Sequence, residues 1–266
     1  MKKTQLINRD YLLAKEFHIN TKQYEKTSKN YKYGNYVEDY ELKKVASKEK
    51  IPLIKSDVNE NELFKSIIHR KSYDELEIRV PVDKQVLSDL LNYSYGSKPN
   101  NYHFINTVPS AGGRYPVSLY LISFNVQNLR KGIYYWDPFE HNLCLIKEGN
   151  YRGKLKESIA INKLDIEYCS FAIVLTADID KSCAKYGNRG YRFVCMDVGF
   201  VSQNLYLLSS NLEIGTRAIG GYYDDGIKNL LSEEKEEVML VHIFGKECIT
   251  PKEQLKVDLS NYFHLD

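Results

Sequence analysis

The sequence predicts an α+β protein in which a central sheet of four or five strands is sandwiched between helices. Ser170–Ala177 and Val238–Phe244 are continuous apolar runs, which are typical of strands buried on both faces. Between them, apolar residues recur at alternating four- and three-residue steps, which predicts a helix of roughly five turns with one apolar face. These residues are Val194, Val198, Val201, Leu205, Leu208 and Leu212.

Local signals predict the remaining elements. Capping residues and apolar spacing indicate helices at Asp10–Phe17, Asn59–Arg70, Pro81–Tyr95 with a cap near Asp83, Lys154–Ile161 and Asp224–Leu231. Alternating or continuous apolar runs indicate strands at Val117–Phe124, Gly132–Trp136 and His141–Lys147, the last two paired as a hairpin. Residues 1–50 predict an irregular N-terminal arm, which either wraps a surface or partner or is a solvated extension. Residues 51–266 form the single domain.

Composition narrows the class of protein. Of 266 residues, 43% are apolar and 27% charged, as in ordinary globular proteins, and the net charge of +2 does not indicate a nucleic-acid surface. No apolar run approaches the roughly 18–20 residues of a membrane span, and no apolar segment follows the N-terminal lysines as in a secretory signal. Five scattered cysteines without CxxC spacing predict reduced thiols in a cytoplasm and no metal site. We expect neither nucleic acid nor membrane as a partner.

The stretch from Lys185 to Gly221 places chemistry at both ends of the predicted helix. Lys185 and Tyr186 lie in a glycine-punctuated turn before it, as a possible acid–base pair. Gly215 is a plausible left-handed cap at its end, and a Gly220–Gly221 loop follows. The apolar stripe suits either the core of one domain or a seam between two subunits.

Two loops are candidate ligand sites. His69–Ser72 places two cations and a hydroxyl after a helix, which suits phosphate binding or simply a cationic C-terminal turn. Pro109–Pro116 contains a run of small residues against which a flat ligand could lie on bare backbone. Such residues are also common in loops.

Four segments together resemble one family. They are HRKS at His69–Ser72, PSAGGRYPVSLYL at Pro109–Leu121, KYGNRGYRF at Lys185–Phe193 and IGTRAIGGYYDD at Ile214–Asp225. On these the chain resembles the SagB/McbC-type dehydrogenases, a branch of the FMN-dependent nitroreductase superfamily. The second and third segments are specific to the branch, whereas HRKS alone is generic. The resemblance implies a nitroreductase-like fold with a mainly antiparallel sheet. It also implies a homodimer that holds FMN in an interface containing the long helix, which would account for the apolar stripe.

The resemblance also implies roles for individual residues. Arg70, Lys71 and Ser72 would reach the FMN phosphate and the pyrimidine side of its ring, and Lys246 would be a second phosphate cation. Pro109, Ser110, Ala111, Gly112 and Gly113 would cover the ring from the other subunit, while Ala218, Ile219, Gly220 and Gly221 would line it near its reactive nitrogen. Many nitroreductases carry a basic residue where this chain has Asp74, and a cation is needed to stabilise the anionic edge of the reduced flavin ring. Lys71 is the predicted substitute for that cation.

Members of this branch oxidise thiazolines and oxazolines in ribosomally made peptides to thiazoles and oxazoles, after a partner cyclodehydratase (YcaO-type) closes the rings. The matching pair for this chemistry is Lys185 and Tyr186. Aromatising an azoline removes a hydride, which the flavin accepts, and a proton, which needs a base. A free tyrosine is a poor base near neutral pH, but an adjacent cation favours the tyrosinate. Tyr186 is therefore the predicted base and Lys185 its activator, with reversed roles if the lysine is neutral.

Three other readings remain open. Lys185 could be a solvated side chain and Tyr186 a packing residue, with neither taking part in catalysis. The chain could be an NAD(P)H-dependent nitroreductase acting on small molecules, or a flavin-bound scaffold subunit of a peptide-modifying complex.

Overall fold

The computed structural model describes residues 12–25, 51–53, 61–73, 75–77, 80–99, 104–160 and 165–247. The rest of the predicted arm, Asp74, Cys248 and the tail beyond Thr250 lie outside the described residues. The helices are α1 (Leu12–Thr21), α2 (Glu62–His69), α3 (Lys84–Tyr95), α4 (Arg152–Glu157), α5 (Asp165–Tyr168), α6 (Ile179–Tyr186), α7 (Arg189–Asn211) and α8 (Asp224–Leu231). The strands are β1 (Leu76–Glu77), β2 (Ser97–Pro99), β3 (Phe104–Asn106), β4 (Val117–Ser123), β5 (Gly132–Asp137), β6 (Asn142–Glu148), β7 (Phe171–Ala177), β8 (Gly215–Ile219) and β9 (Glu237–Glu247).

The main sheet has seven strands in the order β1-β9-β7-β4-β5-β6, with β8 also paired to β9, and every pairing is antiparallel. The predicted α+β class is confirmed. The sheet is larger than expected, because β1 has only two residues and β8 has no apolar run that would have indicated a strand. Alternate residues of β7 enter two cores: Phe171, Ile173 and Leu175 face α3 and α7, whereas Ala172 and Val174 face α4, α5 and α8. The sheet is therefore covered by helices on both faces.

The long helix α7 uses its apolar stripe within its own chain. Val194, Val201 and Leu205 are fully buried, and Val198 is 6% exposed. Val198, Val201 and Leu205 pack in the core that includes α3. The interpretation of this stripe as a subunit seam is wrong, because the sheet and α3 already cover it. Another side of α7 leaves Met196 and Phe200 exposed.

Both ends of α7 differ from the prediction. Lys185 and Tyr186 are the last residues of α6 and not part of a turn; the turn follows at Gly187, whose φ is 58°. The helix ends at Asn211, and Glu213 takes the left-handed conformation that was expected of Gly215. Gly215 instead begins β8, where a Cβ would lie 2.6 Å from a methyl carbon of Leu76. Close packing against β1 therefore requires glycine there.

Helix α1 is longer than predicted and is docked on the domain. The Ala14 N–H donates to Asn188 Oδ1 at 2.9 Å, and Lys15 pairs with Asp180 at 2.9 Å. His18 is buried and contacts the Tyr191 hydroxyl at 3.1 Å. In the parts of the chain that are described, no helix is both long and apolar enough to cross a bilayer.

Candidate active site

The 3₁₀ turn Ala111–Gly113 lies against the end of α6. Gly112 has a φ of 60°, and a Cβ there would lie 2.2 Å from Tyr186 Oη and 2.6 Å from Lys185 Nζ. The two side-chain atoms lie at these distances from one point, so they can be no more than 4.8 Å apart. The structure therefore brings together Gly112, Lys185 and Tyr186, which were predicted from segments about seventy residues apart.

The two side chains differ in burial: Tyr186 is half-buried, and Lys185 is exposed. The half-buried Tyr186 ring meets the Phe193 ring edge-on, with the centroids 5.0 Å apart and the planes at 82°. Lys185 is exposed, and its ammonium lies 5.2 Å from the centroid of the Tyr186 ring. Packing from α7 thus fixes the tyrosine, while a positive charge remains beside it. This arrangement suits proton transfer at the Tyr186 hydroxyl.

Asp197 anchors the glycine turn to α7, and sequence reasoning missed it. Its carboxylate accepts hydrogen bonds from the Ser110 hydroxyl, at 2.6 Å, and from the Ala111 N–H. The Ser110 oxygen in turn accepts the Tyr115 N–H at 2.9 Å. Burial raises the pKa of Asp197, whereas the hydrogen bonds from Ser110 and Ala111 oppose that shift. An acid beside Val198 in an apolar stripe was the available signal, because a buried carboxylate needs donors.

A second cluster forms around Tyr206, near the other end of α7. Its hydroxyl lies 3.0 Å from Ser72 Oγ and accepts the Ala218 N–H at 3.0 Å. The Arg70 guanidinium lies 5.2 Å from the centroid of the Tyr206 ring. The predicted residues Arg70, Ser72 and Ala218 therefore meet at a tyrosine that carried no motif signal. Ile219, Gly220 and Gly221 continue the backbone from Ala218.

Two predicted cations lie apart from this cluster. The Lys71 ammonium pairs with Glu247 at 2.8 Å and lies 4.4 Å from the centroid of the Tyr73 ring. It points away from Arg70 and Ser72, because successive side chains of extended backbone point to opposite sides. Lys71 borders a cavity of about 610 Å³ that Tyr73 and Glu247 also line. Lys246 lies inside β9, not past its end, and donates to the Glu213 carbonyl at 3.4 Å. Neither ammonium converges with Arg70.

A buried histidine, His242, packs against the Tyr206 ring. His242 is fully buried, and burial lowers its pKa to about 3, so the ring is neutral near pH 7. Its ring nitrogens contact Ser202 Oγ at 2.8 Å and Thr216 Oγ1 at 3.3 Å. Its ring packs edge-on against Tyr206 at 5.1 Å. Because Ser202 belongs to α7 and Thr216 to β8, the histidine links these two elements next to Tyr206.

Within one chain, the cluster at Tyr186 and the cluster at Tyr206 lie far apart along α7. Phe193, which packs on Tyr186, and Tyr206 are separated along α7 by roughly 20 Å, at about 1.5 Å of rise per residue. Each cluster also has a glycine with open space beside it. These are Gly113 in the turn near Tyr186 and Gly220 near Tyr206, where a Cβ would meet no atom within 4 Å. Pro109 is exposed beside Ser110, at the start of the glycine turn. Each cluster thus holds some of the predicted residues and a bare stretch of backbone, while Lys71 and Lys246 belong to neither.

Comparisons with known proteins decide the family. The chain matches the Nitroreductase family over residues 70–246. It is 30% identical over 190 residues to a Methanocaldococcus jannaschii protein named as a nitroreductase. The aligned residues make up 71% of this chain and 94% of that protein. The chain belongs to the nitroreductase family.

Other relatives are more distant. The chain is 26% identical over 143 residues to the Escherichia coli microcin B17-processing protein McbC, which covers 52% of this chain and 53% of McbC. A nitroreductase structure from Anabaena variabilis has a TM-score of 0.62 at 26% identity and covers 70% of this chain and 38% of that one. A chain of the E. coli microcin synthetase McbBCD complex, solved with truncated pro-MccB17 bound, has a TM-score of 0.70 at 19% identity.

The microcin synthetase match covers 90% of this chain and 94% of that chain. Helix α1 lies before residue 70 and therefore outside the family match.

Proposed function

We propose that this nitroreductase-family chain is an FMN-dependent dehydrogenase that oxidises thiazoline or oxazoline rings in a ribosomally made peptide. A cyclodehydratase of the YcaO type would form the rings beforehand. The observation that carries the proposal is the convergence of Lys185 and Tyr186 on Gly112. The similarity to McbC, a protein named for processing microcin B17, supports the same class of substrate.

The donor set at Tyr206 fits FMN. Arg70 offers a guanidinium and Ser72 a hydroxyl on the same side of an extended segment, which suits a phosphate or the polar edge of a ring. The backbone from Ala218 to Gly221 is open at Gly220 and would lie against the flat ring. Lys71 and Lys246 would contribute only after leaving Glu247 and Glu213. When bound, FMN supplies the hydride acceptor.

The complete site would need two copies of the chain. Along α7, the Lys185–Tyr186 pair, which packs at Phe193, lies roughly 20 Å from Tyr206, and the turn Pro109–Gly113, which is bonded to Asp197, lies roughly 14 Å from it. Both are too far away to serve one flavin ring from the same chain. The apolar side chains that a second copy could cover are exposed on α2 and α7. They are Leu63, Phe64, Ile67, Ile68 and Phe200. A homodimer would bring the glycine turn of one copy over the Tyr206 cluster of its partner.

In this reading, the protein's own residues handle the proton. Tyr186 Oη, fixed by Phe193, accepts the proton from the azoline carbon, and the neighbouring Lys185 ammonium stabilises the negative charge of the tyrosinate. Asp197 holds Ser110 and Ala111, so that the turn around Gly112 keeps its distance from the pair. The substrate ring would lie between this pair and the flavin.

The test is mass spectrometry of an azoline-bearing peptide incubated with the FMN-loaded protein. Each heterocycle should lose the mass of two hydrogen atoms with the wild-type protein. Tyr186→Phe should abolish this loss while it retains FMN. Persistence of full activity in Tyr186→Phe and in Lys185→Ala would refute the assigned chemistry.

The family match also favours a second candidate, an NAD(P)H-dependent nitroreductase acting on small aromatic molecules. This candidate predicts rapid bleaching of the flavin absorbance by NADPH and no requirement for Lys185 or Tyr186. A third possibility, a flavin-bound scaffold, predicts bound FMN without azoline oxidation even in the presence of the cyclodehydratase. The stopped-flow reduction rate with NADPH separates the first two.

A further inference from the structure

We infer that the groove between α1 and α7 binds the azole-bearing segment of the substrate peptide that flanks the ring being oxidised. This inference rests on the proposed function and identifies the surface that selects a peptide over a small azoline.

The groove is a cavity of about 840 Å³, lined by apolar and guanidinium groups that include Leu13, Phe17, Tyr191, Arg192 and Met196. Leu13, Phe17 and Met196 are 66%, 58% and 54% exposed, which is unusual for three large apolar side chains on one surface. Phe17 meets Tyr191 edge-on with the ring centroids 5.7 Å apart. The lining thus combines aromatic faces with cations.

The α1 wall of the groove is held firmly. Besides the contacts of Ala14, Lys15 and His18, the Lys22 ammonium pairs with Glu237 at 2.9 Å and with Asp225 at 3.0 Å. Gln23 donates its N–H to Asp224 at 2.9 Å. Five residues of α1 and its following turn therefore fix the helix, and Leu13 and Phe17 are displayed on a rigid support. Rigid display lowers the entropy lost when a peptide binds.

The groove begins beside the catalytic pair. Asn188 and Arg189 are among its lining residues and follow Tyr186 by two and three positions. The Arg189 guanidinium lies 5.9 Å from the ring of Phe193, which is the ring that packs on Tyr186. A peptide chain that leaves a ring held at Tyr186 would therefore enter this groove directly.

The lining suits azole-bearing peptide in particular. An azole is flat and aromatic, replaces a backbone N–H, and offers a ring nitrogen that only accepts hydrogen bonds. Aromatic side chains such as Phe17 and Tyr191 offer edge and face contacts to such rings. Arg189 and Arg192 offer planar guanidinium groups that both stack on rings and donate to acceptors. A single small aromatic substrate would use none of this surface.

The experiment compares two substrates and two matched pairs of variants on the FMN-loaded protein. The long substrate carries one thiazoline flanked by several finished azoles, and the short one carries a thiazoline with a single residue on each side. Phe17→Ala and Arg192→Ala remove groove residues. Phe139→Ala and Arg130→Ala are the controls, because Phe139 is similarly exposed at 54% and Arg130 is an exposed cation paired with Glu148.

Each groove variant should raise the KM for the long substrate by roughly tenfold, as expected when one aromatic or guanidinium contact is lost, with kcat kept. The KM for the short substrate should change by less than twofold, and the controls should match the wild type on both. Equal KM values for the long substrate in groove and control variants would overturn the inference. So would a change of oligomeric state in Phe17→Ala by sedimentation, which would make a second copy the occupant.

A binding measurement keeps the inference separate from the proposed chemistry. Fluorescence anisotropy with a labelled peptide of finished azoles, which cannot react, should show binding that weakens in Phe17→Ala and Arg192→Ala. Wild-type protein that binds this peptide but oxidises neither substrate would refute the proposed function and leave the groove supported. Wild-type protein that oxidises the short substrate but binds the azole peptide no better than the groove variants do would refute the groove alone.

Discussion

Gly112 gives the sharpest test of the proposed chemistry, because its neighbour Gly113 is a control in the same turn. Both residues have positive φ, 60° and 63°, so replacing either by alanine carries a similar left-handed strain of about 1 kcal/mol. A Cβ at Gly112 would lie 2.2 Å from Tyr186 Oη and 2.6 Å from Lys185 Nζ, whereas a Cβ at Gly113 meets nothing within 4 Å. The two variants therefore share a cost in stability and differ in geometry.

Ordinary van der Waals contact needs at least 3.4 Å, so in Gly112→Ala the Tyr186 hydroxyl must move by about 1 Å. The hydroxyl is the far end of a side chain, so the movement itself costs little stability. A displacement of that size in a proton-transfer group lowers the rate by roughly a hundredfold. We expect Gly112→Ala and Gly113→Ala to lose similar free energies of unfolding, and Gly112→Ala to lose about a hundredfold more kcat.

The assay is the rate of azoline oxidation at saturating FMN, with urea unfolding of each variant beside it. Saturating cofactor removes any difference in flavin affinity between the two glycine variants. Equal losses of kcat in Gly112→Ala and Gly113→Ala would refute the reasoning, since strain and ring contact would then explain the effect without Tyr186.

Three further predictions concern the support around the site. Tyr206→Phe loses the two contacts to Ser72 and Ala218 and should weaken FMN binding roughly thirtyfold in a fluorescence titration, at about 1 kcal/mol per hydrogen bond. Tyr134→Phe removes a hydroxyl that bonds the Arg130 carbonyl, and this variant should bind FMN like the wild type. Burial lowers the pKa of His242 to about 3, so its stabilising effect is complete above about pH 6.5 and falls by up to about 1.4 kcal/mol per pH unit as the pH drops towards 3. Urea unfolding should show that His242→Gln removes this slope; an unchanged slope would argue against a neutral buried ring. Burial raises the pKa of Glu237, but His18 Nε2 at 3.4 Å and the ammonium groups of Lys22 and Lys228 at 2.9 and 3.0 Å outweigh it and hold the pKa below the ordinary value. The stabilisation is therefore present above about pH 4.5 and is lost as the pH falls below it. Glu237→Gln should release α1 to proteolysis at pH 7 and differ less from the wild type below pH 4.5, whereas equal cleavage rates at pH 7 would contradict this role.

The sequence predicted the long elements well, because their signals are local. Asp83 caps α3 as expected, and the β5–β6 hairpin and α8 lie where turn residues and apolar spacing placed them. The strands β1 and β8 carried no such signal, since β1 has only two residues and β8, with the sequence GTRAI, has no apolar run. Their pairing depends on contacts with β9, which is distant in sequence. The glycine of β8 was therefore misread as a helix cap.

The candidate site shows a similar division. Motifs indicated the residues that would touch ligands, such as Arg70, Ser72, Gly112 and Tyr186, because ligand chemistry restricts residue types. They did not indicate Asp197 or Tyr206, whose roles arise only when α7 brings a side chain against a loop 87 or 134 residues away in sequence. Lys71 was predicted together with Arg70 and Ser72, but the structure places its ammonium at Glu247, because successive side chains of extended backbone point to opposite sides.

The misreading of the α7 stripe has a physical explanation with a consequence for the dimer. A heptad-like apolar pattern reports only that a face is buried, not whether its own chain or a second copy covers it. In this fold the sheet and α3 cover the stripe, so a second copy must use a different side of α7, which exposes Phe200. Because Phe200 lies between Phe193 and Tyr206 on α7, a partner docked at Phe200 would lie between the two clusters. Phe200→Glu should therefore disrupt dimerisation and FMN retention together if the site is shared. Loss of the dimer with FMN affinity retained would show that one chain suffices to hold the flavin.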